Sequence, residues 1–201
     1  MKLAEELVRR HLQDHGDWPR GLVVDLWGSA TMRTAGEEFA MALHLAGLAP
    51  KWDEGAARVS GFEVIPLALL GRPRIDVTLR VSGLFRDVFP GLSQMFSAAC
   101  DTLAQREESP EDNPYRAAGP RVFGPQPGRY GLGMGEALEE YSPEARAAAG
   151  EAWLKGSDWT IDASGATRQD RGALETRVLG ADAFVHVQDL TETDLLLASD
   201  Y

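Results

Sequence analysis

Apolar and polar residues follow one another in patterns that predict helices separated by strands. Leu3, Leu7, Val8 and Leu12 form an apolar stripe, which predicts an opening helix that stops near Gly16. Buried or alternating apolar runs predict strands at 21–28, 75–81, 121–124 and 183–188, with one or two short strands within 58–67. Helical spacing and capping residues predict helices at 34–47, 89–106, 143–155 and 169–179, the first of them starting at a T-A-G-E capping box.

Strands that alternate with helices predict an α/β fold with a layered, mostly parallel sheet and flanking helices, a Rossmann-like arrangement. A loop at 107–120, rich in proline and acidic residues, separates a first α/β half at 1–106 from a second at 121–201. We expect the two halves to form one compact domain. Such sheets bind ligands beyond the carboxyl ends of their strands, so polar residues at those ends are the candidates for function.

The charge balance narrows the range of partners. Thirty-one acidic residues against 20 lysines and arginines give a net charge of -11, which excludes nucleic acid and an anionic membrane as the main partner. The single cysteine, Cys100, allows neither an intrachain disulfide nor a cysteine-based zinc cage, which is typical of a reducing compartment. The sequence contains no run of apolar residues long enough to span a membrane and no apolar signal-peptide core, so we expect a cytoplasmic protein.

The first candidate site is the pair Arg86-Asp87, which follows the strand at 75–81. Arginine supplies a planar fork of donors, and aspartate accepts from an N–H group or orients the arginine, so the pair suits an anionic or amide-bearing ligand. The alternative is that both side chains are solvated in the first turn of a helix and serve no ligand.

The second candidate is the glycine-rich segment at 121–135, which contains Gly128 and Tyr130. Its backbone amides can cradle a carboxylate or a phosphate, although a plain turn explains the same composition. The segment lacks both the Gly-Lys-Ser/Thr ending of a Walker A loop and the G-x-G-x-x-G spacing of a dinucleotide fold. The sequence therefore predicts no nucleotide site here.

The third candidate is H-V-Q-D-L-T-E-T-D at 186–194, which follows the last predicted strand. His186 and Asp189 are residue types that bind Co²⁺, Zn²⁺ or Mg²⁺, whereas Thr191 and Asp194 are also explained as helix caps without any metal. His11, His15 and His44 lie in helical stretches where surface or packing roles are favoured. Cys100 lies among apolar helix residues and has no basic neighbour that would activate it.

Several segments, in order along the chain, resemble the large subunits of ATP-dependent tetrapyrrole metal chelatases, and the CobN-type cobaltochelatase subunits most of all. The matching segments are LWGSATMRTAGEEFAMALHLAGLAP, FEVIPLALLGRPRID, RPRIDVTLRVSGLFRDVFPGL, RVFGPQPGRYGLGM and HVQDLTETDLLLASDY. Members of this family are several times longer, so the chain resembles one internal section or a truncated relative. It departs from the family pattern at Val187, where the family has asparagine, and at T-E-T-D, 191–194.

The resemblance implies a role in binding a tetrapyrrole, hydrogenobyrinic acid a,c-diamide, for insertion of Co²⁺ during cobalamin biosynthesis. It also implies two partner subunits of the AAA+ class that hydrolyse ATP, so this chain alone should bind no cofactor, insert no cobalt and hydrolyse no ATP. We expect Arg86, Asp87, Gly128, Tyr130, Gln188 and Asp189 to meet the ligand from one edge of the sheet, and His186 and Asp189 to bind the metal. The alternative is an α/β scaffold that keeps the fold and the subunit contacts but has no catalytic activity.

Overall fold

The computed structural model describes residues 2–53, 55, 58–132 and 142–186. The first part of the chain contains α1 (Lys2–His15), β1 (Gly21–Leu26), α2 (Gly28–Thr34), α3 (Glu37–Leu45), β2 (Leu48–Trp52), β3 (Val59–Val64), α4 (Leu67–Leu70), β4 (Asp76–Val81), α5 (Gly83–Val88) and α6 (Pro90–Ala104). A 3₁₀ turn (Pro114–Arg116) follows, and then β5 (Val122–Gly124), α7 (Pro143–Lys155), β6 (Trp159–Ile161), β7 (Thr167–Gln169), α8 (Arg171–Leu179) and β8 (Ala183–His186).

Six strands form the main sheet in the order β7-β6-β5-β4-β1-β8, and β2 and β3 form a separate antiparallel hairpin. The neighbours β5, β4, β1 and β8 are all parallel, whereas β6 and β7 are antiparallel to the strand beside them. The expected α/β fold with a mostly parallel sheet is confirmed. Strand β1 is buried along its whole length, as expected for a central strand covered by helices on both faces.

The helix boundaries correct two of the sequence predictions. The T-A-G-E segment is not a capping box, because Thr34 ends α2 and the Gly36 N-cap of α3, with a φ of 81°, has no side-chain cap. The Thr34 hydroxyl donates instead to the Glu38 carboxylate. The helix expected at 89–106 is α6, and a short helix that was not predicted, α5, precedes it; Ser82 caps α5 by accepting from the backbone N–H of Phe85 at 3.1 Å. The last predicted helix begins at Arg171, since Gln169 belongs to β7.

The loop at 107–120 is packed against the sheet. Tyr115 is 1% exposed, and its hydroxyl donates to the carbonyl of Ile75 at 2.9 Å and accepts from the N–H of Val77 at 3.1 Å. Glu108 forms a bidentate ion pair with the buried Arg74, with distances of 2.7 and 2.8 Å. Strands from both sides of this loop join the same sheet, because β5 pairs with β4 and β8 pairs with β1.

Candidate functional site

The carboxyl ends of β1 and β4 are joined by one side chain, Ser82. Its backbone N–H donates to the carbonyl of Leu26 at 2.9 Å, and its hydroxyl accepts from the N–H of Gly28 as well as from Phe85. A Cβ added at Gly28 would lie 2.7 Å from the Leu84 side chain, so only glycine lets α2 start this close to α5. The W-G and S-G motifs therefore build the edge at which both strands end.

Arg86 lies at this edge but does not point freely into solvent. It is 8% exposed, and Nη1 donates to the carbonyls of Pro125 at 3.1 Å and Gln126 at 2.9 Å. Its Nε and Nη2 form a bidentate pair with Asp87 at 2.6 and 3.0 Å. The alternative of a solvated first-turn arginine is wrong for Arg86, because the turn that follows β5 covers it. Arg86 binds backbone carbonyls of that turn and so fixes its position.

The other two residues of this candidate site are more accessible. Tyr130 is 51% exposed and donates its hydroxyl to Asp87, whose side chain is 40% exposed. The hydrogen bond from Arg86 is the main reason why the pKa of Asp87 is lowered, and that from Tyr130 adds to it. Gly128 has a φ of 79°, which favours glycine, and a Cβ at Gly83 would lie 2.8 Å from the Arg129 carbonyl. The structure thus brings Arg86, Asp87, Gly128 and Tyr130 together.

A second polar group, missed by the sequence reasoning, connects β4 to β1 near the ends of these strands. Arg80, at the end of β4, is 3% exposed and donates from Nη1 to Oδ1 of Asp25 on β1 at 3.0 Å. Its Nε donates to the hydroxyl of Ser157, which precedes β6, at 3.1 Å. The register of the sheet places Asp25 directly opposite Arg80. Two charged residues inside otherwise apolar strands were the signal available in the sequence.

Asp25 also connects this group to His186 at the end of β8. Nδ1 of His186 lies 3.1 Å from Oδ2 of Asp25, which also accepts from Nε1 of Trp27 at 2.8 Å. Burial by itself raises the pKa of Asp25, but Arg80 and His186 outweigh it, and the pKa is lowered overall. The ionised carboxylate can only accept, so Nδ1 of His186 carries the proton of this hydrogen bond.

The predicted metal-binding role of His186 stays a prediction. A carboxylate on one ring nitrogen is the usual partner of a metal-binding histidine, and Asp25 supplies one to His186. Within the described ranges no group of three or more His, Cys, Asp or Glu side chains is placed to hold a metal ion. Gln188 and Asp189 lie outside the described residues, so their predicted roles stay predictions.

Other charged residues of the matching motifs stabilise the fold at the opposite edge of the sheet. Arg72 donates to the carbonyls of His44 and Leu45 at the end of α3, and Arg121 pairs with Asp76 at the start of β4.

Cys100 is buried, and burial raises the pKa of its thiol to about 12, in agreement with an inert packing role.

Comparison with known proteins places this architecture in a family. The family model described as CobN/Magnesium Chelatase matches residues 1–201. The aerobic cobaltochelatase subunit CobN of Pseudomonas aeruginosa is 41% identical over 98% of this chain, and the chloroplastic magnesium-chelatase subunit ChlH of Oryza sativa subsp. japonica is 31% identical over 97%. The catalytic subunit of cobaltochelatase from Mycobacterium tuberculosis matches with a TM-score of 0.87 and 32% identity over 96% of this chain.

The match covers much less of these relatives than it covers of this chain. The chain spans 18% of the Pseudomonas protein, 15% of the Oryza protein and 18% of the Mycobacterium structure. Across the part of the chain that the structure describes, no helix is long and apolar enough to cross a membrane. The family model covers the whole sequence and the fold matches that of a cobaltochelatase subunit, so this chain belongs to the CobN/magnesium chelatase family.

Proposed function

We propose that this section contributes one wall of a tetrapyrrole-binding cavity in a cobaltochelatase large subunit. The observation that carries the proposal is the shared position of two polar groups, Arg86-Asp87-Tyr130 and Arg80-Asp25-His186, at the carboxyl edge of the parallel strands. This edge is where α/β sheets bind ligands. The substrate is hydrogenobyrinic acid a,c-diamide, and Co²⁺ is the ion inserted, with ATP hydrolysed by AAA+ partner subunits.

In this proposal the turn at 125–130 contacts the macrocycle, and Arg86 holds the turn in position without contacting the macrocycle itself. Arg86 already binds the backbone carbonyls of the turn, so the groups left for the ligand are the exposed ring of Tyr130, the carboxylate of Asp87 and the backbone around Gly128. A flat, conjugated macrocycle can pack its face against the Tyr130 ring. Asp87 can accept from a ligand amide.

His186 is the candidate contact for the metal in the same proposal. Asp25 orients the ring through Nδ1, and Nε2 has no hydrogen-bond partner among the residues that the structure describes. One imidazole is too few ligands to hold Co²⁺ by itself, so Asp189 or groups outside this section must complete the set. Calorimetry on the 201-residue chain should accordingly show no tight, stoichiometric uptake of Co²⁺.

A binding experiment with Tyr130→Ala tests the proposal in a full-length subunit that contains this section. Calorimetric titration with hydrogenobyrinic acid a,c-diamide should show affinity reduced about tenfold, equivalent to roughly 1.4 kcal/mol of lost aromatic contact. Trp52→Ala is the matched control, because Trp52 is an exposed aromatic residue, 57% accessible, on the β2-β3 hairpin. Equal affinities for both variants and the unchanged protein would contradict the proposed wall.

The second candidate function is a scaffold that holds subunits together without contacting the substrate. The specific observation in its favour is that Arg86 already donates to Asp87 and to backbone carbonyls. Under this alternative Tyr130→Ala leaves macrocycle affinity unchanged. The same titration therefore distinguishes the two functions.

A further inference from the structure

A groove with a volume of about 870 Å³ is lined by α1 and α4 and is called here the α1-α4 groove. Its apolar lining comes from α1, from the segment before β1 and from the chain that follows β3: Val8, Leu12, Trp18, Ile65, Leu69 and Leu70. Trp18 precedes β1 and Leu70 precedes β4, so the groove lies at the amino edge of the sheet, opposite the candidate site.

The apolar lining of the α1-α4 groove is accessible rather than packed. Helix α4 reads L-A-L-L, none of its residues is buried, and Leu69 is 79% exposed. Leu12 and Trp18 are only half-buried. Soluble proteins seldom expose apolar side chains in one contiguous patch unless that patch binds another surface. The groove therefore has the character of an interface.

Charged residues beside the groove are paired with one another. Nε of Arg9 donates to Glu6 at 3.0 Å, and Glu5 lies 2.5 Å from Nε2 of His44. All four residues line the groove. Because these pairs already satisfy one another, apolar contact is what the groove offers to a partner.

The backbone of the groove is also hydrogen-bonded, which decides the shape of the partner. The N–H of Ile65 donates to the carbonyl of Gly47 at 2.9 Å, and those of Leu69 and Leu70 both donate to the carbonyl of Pro66 at 2.9 Å. A strand needs free backbone groups for pairing, whereas an amphipathic helix inserts apolar side chains at i, i+3, i+4 and i+7 between those of its neighbours. The groove therefore fits a helix.

A second copy of this chain is a poor occupant of the groove. A symmetric contact presents the same surface on both sides, and two concave surfaces cannot fill each other. Each copy also carries a net charge of -11, so two copies repel. The chain spans 18% of the Pseudomonas subunit and 18% of the Mycobacterium structure, so most of a subunit of that length lies outside this section and can supply the helix.

We propose that the α1-α4 groove docks an amphipathic helix from another section of the full-length subunit, with the apolar face of that helix between α1 and α4. This inference goes beyond the ligand wall and gives the amino edge of the sheet a role in assembly, while the carboxyl edge stays open to the macrocycle. It rests on one part of the proposed function, namely that this chain is a section of a large subunit.

Site-specific labelling tests the inference in the 201-residue chain and in a full-length subunit that contains it. Leu69→Cys introduces a thiol in the groove, and its reaction with N-ethylmaleimide is followed by mass spectrometry of the peptide that contains it. The thiol should react about tenfold more slowly in the full-length subunit, because reaction requires the docked helix to open. Cys100 interferes little, since it is buried and its pKa is raised to about 12.

Asp14→Cys is the control, because Asp14 is exposed on α1 but does not line the groove. It lies about two and a half turns beyond Glu5 and so on the opposite side of the helix. Its rate should differ by less than about threefold between the two proteins. Glu6→Cys, at a groove position whose side chain is 59% exposed, replaces Leu69→Cys if that variant does not fold by circular dichroism.

The outcomes separate this inference from its alternatives and from the ligand wall. Equal rates at the groove position in the two proteins, or equal slowing there and at position 14, would overturn the inference. A 201-residue chain that is dimeric by light scattering and becomes monomeric on Leu69→Glu would overturn it in favour of a second copy. None of these measurements involves the macrocycle, so failure of the ligand wall and failure of the docked helix are observed independently.

Discussion

Arg86→Ala is expected to destabilise this chain, although the pattern around it is typical of a surface helix turn. The substitution removes Nη1, which donates to the carbonyls of Pro125 and Gln126 at 3.1 and 2.9 Å. It also removes the guanidinium that lies 5.7 Å from the centre of the Tyr130 ring. The turn that follows β5 would then lose its main attachment to α5.

The magnitude follows from the two carbonyl bonds. A hydrogen bond to a charged group contributes about 1.5–3 kcal/mol, and the two bonds share one donor nitrogen, so they are not fully additive. The ion pair with Asp87 adds little, because the Asp87 side chain is 40% exposed and solvent screens it. We therefore expect the free energy of unfolding to fall by about 3 kcal/mol.

Denaturant and thermal unfolding of the 201-residue chain measure this loss. For a chain of this length, about 3 kcal/mol corresponds to a fall in Tm of roughly 6–12 °C. Arg129→Ala is the matched control, since Arg129 is an exposed arginine in the same turn and only its backbone carbonyl contacts Arg86. If both variants unfold within about 0.5 kcal/mol of each other, the attachment of the turn does not depend on Arg86 and the reasoning is refuted.

Three further predictions concern stability. Arg74 and Arg106 lower the pKa of Glu108 from 4.5 to about 2. The stabilising contribution of this carboxylate is therefore complete above pH 4.5 and is lost as the pH falls through 2. Denaturant unfolding at several pH values should show that the free energy of unfolding changes by about 3 kcal/mol across this range, and that Glu108→Gln lacks the change. Tyr115→Phe leaves a buried N–H of β4 unpaired and should lower the free energy of unfolding by about 1–3 kcal/mol, whereas an unchanged value would mean that water replaces the hydroxyl. Gly83→Ala places a Cβ 2.8 Å from a backbone oxygen of the turn and should lower Tm, and equal melting curves would contradict the close approach.

The sheet could be predicted from local patterns because each long strand carries its own apolar signal. Strand β1 reads G-L-V-V-D-L and is buried throughout, and β4 follows the same rule. The short strands β6 and β7 escaped prediction, since three residues carry too little periodicity to distinguish a strand from a loop. The hairpin pairing of β2 with β3 was missed for a related reason: Pro50 and Lys51 weaken the strand pattern of β2.

The residues of the site could be predicted only where their role follows from neighbouring residues in the sequence. Arg86 and Asp87 were found because they follow a strand, but burial of Arg86 depends on a turn 39 residues later in the chain. The pairing of Arg80 with Asp25 depends on a register between strands 55 residues apart. Neither separation leaves a trace in the local pattern, so an arginine that fixes a turn and an arginine that pairs with a neighbouring strand look alike in sequence.

The position of β1 between β4 and β8 has a consequence for how the chain folds during its synthesis. Asp25 finds Arg80 after 55 residues, but His186 arrives only after 161. While the ribosome makes the intervening residues, one side of β1 has no neighbour, and its backbone N–H and C=O groups on that side remain open to water or to another chain. The pairing of β1 with β8 can form only when β8 has left the exit tunnel. Folding of this section is therefore dominated by distant pairings and should be slow compared with that of a helical protein of equal length.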